Sequence, residues 1–131
     1  MNEITKKVLL RAAELVERGW CQYALGTRSK MMDAFWSGET RISYQVPINR
    51  PHGLLTAERV CLDGALMLAV HEVTGHNLEE LAQSSAYRDA RDVMTDAVHA
   101  RSDGSPSYVI WNDRSDRTAE EVAALCRKVA E

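Results

Sequence analysis

Residues 60–75 read VCLDGALMLAVHEVTG, and this stretch decides the fold. Its apolar side chains fall on nearly every side of a helix when they are placed at helical spacing. A helix of this kind is typical of the centre of a domain, where neighbouring elements cover several of its faces. We therefore predict a central helix over 60–73 that has Thr56 as its N-cap and ends at Gly75.

Three amphipathic stretches lie around this helix in the sequence. Each has apolar residues at helical spacing on one side and charged residues on the other: 2–18, 86–97 and 122–129. Gly19 is the expected end of the first stretch. Asn77 and Thr118 each precede a glutamate by three residues, which is typical of a capping box at a helix start. With the central helix, these stretches predict about four helices.

The strand signals are shorter. Residues 20–25 and 41–46 predict two strands that pair antiparallel, and Pro47 is expected to close the second. Residues 108–111 are a third short apolar run, and about 26–53 is an irregular excursion. We therefore predict a single α+β domain over 1–131, mainly helical, with a small antiparallel element of two or three strands. An all-α bundle is the alternative, because short apolar runs fit helix and strand equally well.

Composition bounds the environment and the partners. The net charge of −3 gives no global positive field, so binding to nucleic acid or to an anionic membrane is not expected. The longest apolar run, 65–70, is far too short to span a bilayer, and the N-terminus lacks the apolar stretch of a signal peptide. The three cysteines are odd in number and far apart, which favours a reducing cytosol. We expect a cytoplasmic protein.

Two patterns in the sequence could carry chemistry. His71 and His76 suggest a zinc-protease motif, but they are five residues apart rather than four, and Gly75 is expected to end the helix between them. Cys21 has neither a base nor a pKa-lowering group beside it in sequence, so a small buried side chain is the simpler interpretation. Phosphate-binding glycine loops and serine nucleophile elbows are absent from the sequence. We expect no catalytic residue, no metal and no cofactor.

The strongest polar cluster is 111–118, which reads WNDRSDRT. The cluster places four different chemical groups just before a predicted helix N-terminus. They are the aromatic ring of Trp111, the amide of Asn112, the carboxylate of Asp113 and the guanidinium of Arg117. Such a position suits a polar ligand. The alternative is a turn in which Asn112 and Asp113 cap backbone amides and Arg117 pairs with a carboxylate.

A second cluster is apolar. Within the excursion, large apolar side chains lie close together at Met31, Met32, Phe35 and Trp36. Methionine and aromatic residues are enriched at adaptable interfaces, so this segment predicts a surface for a protein partner or a second copy of the chain. The alternative is a short helical turn that covers the core.

Three motifs carry a family resemblance: RGWCQ at 18–22, CLDGA at 61–65, and WND at 111–113 followed by RTAEEV at 117–122. Together they resemble a small uncharacterised domain family of actinobacteria and their phages. The resemblance implies a bacterial or phage context and no particular activity. It implies that the shared pattern includes Trp20, Gln22, Cys61, Trp111, Asn112 and Asp113. The chain departs from that pattern at Tyr23 and in a longer 26–53 segment.

Two functions therefore stand as hypotheses. The first is a small cytosolic, non-enzymatic interaction protein that binds a protein partner or itself through the Met31–Trp36 segment. The second is a small-molecule-binding domain or small enzyme whose site combines Trp20, Gln22 and Cys61 with the 111–113 turn. The second predicts that Trp20 and Trp111 lie close together at one end of the fold.

Overall fold

The computed structural model describes residues 1–33, 41–101 and 104–131. Within these ranges it contains five α-helices, two 3-10 helices and three β-strands. In chain order they are α1 (Glu3–Arg18), β1 (Gly26–Asp33), β2 (Arg41–Ile48), a 3-10 helix (Pro51–Thr56), β3 (Arg59–Val60), α2 (Leu62–Thr74), a 3-10 helix (Leu78–Gln83), α3 (Ser85–His99), α4 (Tyr108–Asn112) and α5 (Ala119–Ala130). The α+β class, mainly helical with a small antiparallel sheet, is thereby confirmed.

Helix α2 lies at the centre, as its apolar sequence predicts. Leu62 and Leu66 are fully buried, and each such side chain stabilises the fold by about 1.5–3 kcal/mol relative to exposure. Helix α2 packs against α1, α3 and α4 and against both 3-10 helices. Gly75 ends it in the left-handed conformation, with φ 76°.

The predicted N-cap of this helix is wrong. Thr56 ends the preceding 3-10 helix, where its hydroxyl donates to the Gly53 carbonyl at 3.0 Å. Residues 59–60 form strand β3, so the chain is still extended at the predicted start of the helix. The cap is Cys61, whose sulfur accepts from the Gly64 amide at 3.3 Å.

The three amphipathic helices are confirmed, and each has a side-chain cap. Asn2 caps α1 by accepting from the Thr5 amide at 2.8 Å, Ser84 caps α3, and Thr118 caps α5. Helix α1 packs with its apolar face against both α2 and α5. These polar caps satisfy backbone amides that have no partner within the helix.

The sheet has the strand order β2-β1-β3, and both pairs are antiparallel. Strand β2 matches the prediction for 41–46, but Pro47 lies within it, opposite Thr27. A proline is tolerated there because β2 is an edge strand, where an amide need not join a ladder. Beyond Arg28, β1 and β2 continue together as a two-stranded arm.

Two predicted strands are wrong. Residues 20–25 form bends with one isolated bridge, Trp20 to Val60, and β2 pairs with β1 instead. Tyr23 has φ 66°, a left-handed backbone that cannot continue a strand. The run 108–111 belongs to helix α4, which Ser107 caps by accepting from the Ile110 amide. Strand β3 is the third strand of the sheet.

None of the helices in the described ranges is long and apolar enough to cross a membrane.

Candidate functional site

Asn112 lies at the end of α4 and connects three parts of the chain. Its side chain is almost fully buried, and its Oδ1 accepts from Trp20 Nε1 at 2.8 Å and from the Leu62 amide at 3.1 Å. Its Nδ2 donates to the Cys21 carbonyl at 3.3 Å and to Asp113 Oδ1 at 2.9 Å. Both acceptor positions and both donors of the amide are therefore used.

The 20–25 loop is fastened to the 112–114 turn by further hydrogen bonds. Gln22 Nε2 donates to the carbonyls of Asn112 and Arg114, at 3.0 and 2.8 Å. The Tyr23 amide donates to Asp113 Oδ1 at 3.0 Å, and the Tyr23 hydroxyl donates to the Asp113 carbonyl at 2.9 Å. These bonds hold Tyr23 in its left-handed backbone conformation, which a non-glycine residue adopts at some cost in energy.

A cleft of about 370 Å³ lies between these segments and the start of α2. Tyr23, Ala24 and Leu25 line it from the 20–25 loop, and Val109, Asn112 and Asp113 line it from α4 and the residue that follows. Cys61, Asp63 and Asn49 complete the lining. Gly64 allows the 20–25 loop to approach α2, because a Cβ at that position would lie 2.0 Å from the Leu25 carbonyl oxygen. The cleft is thus a product of the fold and not of a mobile side chain.

Asp63 is the carboxylate at the start of α2. Its Oδ1 accepts from the hydroxyls of Tyr87 and Tyr108, both at 2.8 Å. Burial, followed by the charge of Asp63, raises the pKa of both tyrosines well above the usual value. Both hydroxyls therefore keep their protons and act as donors. The Arg91 guanidinium lies over the Tyr87 ring, 5.4 Å from its centroid.

The two thiols near the cleft are not activated. Burial raises the pKa of Cys61 to about 12 and that of Cys21 to about 11, and the Asp113 charge adds to the effect on Cys21. A nucleophilic cysteine needs the opposite shift, because the thiolate is the reactive form. Both thiols are therefore protonated at neutral pH.

Trp111 lies behind the cleft, in the core. Its ring is fully buried, and the Arg117 guanidinium lies over it at 4.0 Å from the centroid, with Arg101 at 5.4 Å. Arg117 also donates to the Trp111 carbonyl at 2.9 Å and to Glu121 at 2.9 Å. Trp111 and Arg117 therefore support the turn, and neither lines the cleft.

The two histidine rings of the zinc-like pattern each contact a backbone carbonyl. His71 Nδ1 lies 2.8 Å from the His76 carbonyl, and His76 Nε2 lies 2.9 Å from the Glu80 carbonyl. Across residues 1–33, 41–101 and 104–131, no group of three His, Cys, Asp or Glu side chains could hold a metal ion.

The described part of the predicted apolar segment, Met31 and Met32, does not line the cleft. Met31 and Met32 lie on β1 with 52% and 43% of their surface exposed. Phe35 and Trp36 fall outside the described residues. The structure thus brings Trp20, Gln22, Cys61, Asn112 and Asp113 together, places Trp111 and Arg117 behind them, and separates the methionines from all of these.

Sequence reasoning missed Tyr23, Asp63, Tyr87 and Tyr108 as site residues. For Asp63 there was a usable signal: it is an acidic residue in the first turn of a helix that is otherwise apolar on nearly every side, where a charge needs a partner. The two tyrosines are far from it in sequence, so no local pattern connects them to it.

Comparison with known proteins gives one match. The model of a family of unknown function, DUF6197, matches residues 1–131, so the chain belongs to that family. The resemblance to an uncharacterised domain family is confirmed to this extent. No curated protein and no solved structure matches the chain.

Proposed function

We propose that this DUF6197 chain is a small-molecule-binding domain whose ligand enters the cleft between Tyr23 and Val109. The observation that carries the proposal is the construction of the cleft. Its lining comes from four separate parts of the sequence, 23–25, Asn49, 61–63 and 109–113. Hydrogen bonds between residues far apart in the chain join three of these parts. Ligand sites are mostly apolar concavities of this volume range with a few fixed polar groups.

The strained Tyr23 backbone adds a second argument. A left-handed tyrosine persists only where its surroundings enforce it, and such residues concentrate at functional sites. Here the enforcing contacts are the two hydrogen bonds to Asp113, which also lines the cleft. The same bonds orient the tyrosine at the cleft rim, where 74% of its surface is exposed.

We propose binding without catalysis. The thiols beside the cleft are protonated at neutral pH, and the two carboxylates of its lining already accept hydrogen bonds, Asp63 from two tyrosines and Asp113 from the Tyr23 amide. We also propose a cytosolic location, in a bacterium or in the host of a phage. The three free cysteines support a reducing compartment.

A fragment screen by amide NMR tests the proposal. Fragments that bind should shift the amide signals of Tyr23, Cys61, Asp63 and Asp113. Val109→Trp should fill the cleft and abolish these shifts. Ile110→Trp is the matched control, because Ile110 is the next residue, is 51% exposed and does not line the cleft. If no fragment reaches the cleft, or if Val109→Trp binds as well as the control, the proposal fails.

Self-association is a second candidate, and the β1–β2 arm favours it. Met32 and Ile42 are paired across the arm, and Tyr44 lies two residues from Ile42, so all three share one face. Their exposed fractions are 43%, 38% and 43%. No described strand pairs with the outer edge of β2. We propose a second copy of the chain as the partner, since the same edge of two copies pairs antiparallel about a two-fold axis.

Light scattering with size-exclusion chromatography tests this second candidate. A dimer of the wild-type chain should become a monomer in Met32→Ser/Ile42→Ser/Tyr44→Ser and should keep its melting temperature to within a few degrees. Met31→Ser is the control, because Met31 faces the opposite side of the arm. A wild-type chain that is monomeric at high concentration excludes the self-association proposal.

A further inference from the structure

We infer that the cleft takes a positively charged organic ligand, a protonated amine on a small apolar body, with the Asp63 carboxylate as its counter-ion. The inference rests on the proposed function, because it names the ligand class of the same cleft. Three features of the cleft carry it: the sign of its charges, the fixed orientation of Asp63 and the apolar walls.

The charged groups that line the cleft are both acidic. They are Asp63 and Asp113, and the described lining contains no lysine or arginine. In the part of the chain that the structure describes, neither carboxylate forms an ion pair with a basic side chain. Arg91 lies beyond the two tyrosines, and its raised pKa comes chiefly from Tyr108 and only last from Asp63. The cleft therefore offers a negative potential in partly desolvated surroundings, which favours a cation.

The orientation of Asp63 leaves one oxygen available. Both tyrosine hydroxyls donate to Oδ1, and no described donor reaches Oδ2. An ionised carboxylate has about four acceptor positions, so these two bonds leave room for a charged donor. The tyrosines also hold the carboxylate in a defined position before a ligand arrives, which reduces the cost of ordering it on binding.

The remaining lining determines what carries the charge. Ala24, Leu25 and Val109 give the cleft apolar walls within its volume of about 370 Å³. A bare metal ion needs several ligands from the protein, and the described residues provide no group of three. An ammonium group on an apolar body needs one carboxylate and an apolar surface, and the cleft supplies both.

The test compares three probes of one shape with the full chain, each titrated while amide NMR signals are followed. The probes are benzylamine, benzyl alcohol and benzoate. Benzylamine should shift the signals of Asp63 and its neighbours with an affinity at least about tenfold above that of the alcohol, since hydrogen bonds to charged groups are about twice as strong as neutral ones. Benzoate should give no shift there.

Variants assign the effect to one carboxylate. Asp63→Asn keeps the Oδ1 acceptor for both tyrosines, so the fold is retained while the charge is lost, and the benzylamine affinity should fall about tenfold to that of benzyl alcohol. Asp116→Asn removes an exposed charge outside the cleft and should leave all affinities unchanged. If Asp63→Asn does not fold, the comparison of the three probes on the wild-type chain still decides the matter.

The failure of this inference differs from the failure of the proposed function. Benzyl alcohol that shifts the cleft signals as strongly as benzylamine, or full benzylamine binding by Asp63→Asn, overturns the cationic ligand and leaves the cleft as a binding site. A fragment library that produces no hit in the cleft overturns both.

Discussion

Replacing Asn112 with alanine should destabilise the protein far more than a comparable change at an exposed asparagine. The substitution removes the acceptor of the buried Leu62 amide and of the partly buried Trp20 indole. Leaving the buried Leu62 amide without an acceptor costs about 1–3 kcal/mol. Leaving the Trp20 indole without one costs about 1 kcal/mol, because water can reach this partly buried group. The expected loss is about 2–4 kcal/mol, which for a domain of this size lowers the melting temperature by roughly 8–16 °C.

Urea unfolding followed by circular dichroism measures this loss, and two variants make the result specific. Asn77→Ala removes an exposed cap that accepts one bond, from the Glu79 amide at 2.9 Å, and should cost about 0.5–1 kcal/mol. Asn112→Asp keeps the Oδ1 acceptor. It replaces Nδ2, which donates to the Cys21 carbonyl and to Asp113 Oδ1, with a second acceptor oxygen. These neighbours raise the folded-state pKa of the new carboxyl above its unfolded value of about 3.9.

The pH dependence of Asn112→Asp then has a definite sign. When the pKa of a group is higher in the folded than in the unfolded state, its contribution to stability is fully present at pH values below the unfolded-state pKa. That contribution is lost as pH rises through the folded-state pKa. The free energy of unfolding of Asn112→Asp should therefore be closest to that of the wild type near pH 4 and clearly lower than it at pH 7. The assignment of Asn112 as the central connector is refuted if its alanine variant loses no more stability than Asn77→Ala, or if Asn112→Asp matches wild type at pH 7.

Two further variants and one chemical measurement test the packing around the cleft. Gly64→Ala would place a Cβ 2.0 Å from the Leu25 carbonyl oxygen and should lower the free energy of unfolding by more than about 3 kcal/mol, or prevent folding. Gly75→Ala is the control in the same urea assay. Gly75 has φ 76° and nothing within 4 Å of an added Cβ, so the loss should be about 1 kcal/mol. A thiol reagent at pH 8 should modify the buried Cys61 and Cys126 only after unfolding; rapid labelling of either in the native protein contradicts their raised pKa. Burial raises the pKa of Cys126 to about 12 from an ordinary 9.0. The contribution of this thiol to the free energy of unfolding is therefore fully present below pH 9 and is lost as pH rises toward 12. Cys126→Ala should make the free energy of unfolding in urea depend less on pH between these values.

The helices were predictable because their determinants are local. The stripe of α1, the all-round apolar character of α2 and the caps at Asn77 and Thr118 are readable from a few consecutive residues, and the structure has all of them. The two wrong strands fall where a short apolar run had to be assigned without a partner. The run 108–111 is only four residues long, and its helical state depends on the Ser107 cap and on burial of Trp111 against the core.

The cleft was harder to predict because its contacts cross the chain. The sequence predicts a short strand over 20–25 that contains Gln22 and Tyr23 and ends at Gly26. Their hydrogen-bond partners are about 90 residues away, and those bonds hold Tyr23 in a conformation that propensity disfavours. Tertiary contacts thus override local preference at the rim of the cleft.

These contacts between distant parts of the chain also explain why the three sequence motifs predicted the site better than the predicted strands did. Trp20, Cys61 and Asn112 each come from a different motif, and the structure joins all three segments through the single amide of Asn112. That amide uses every donor and acceptor it has within the protein, so it has none left for a ligand. Asp63, from the second of these motifs, lines the same cleft, and no described donor reaches its Oδ2. The buried amide therefore supports the cleft, and the carboxylate beside it is the group that we propose a ligand contacts.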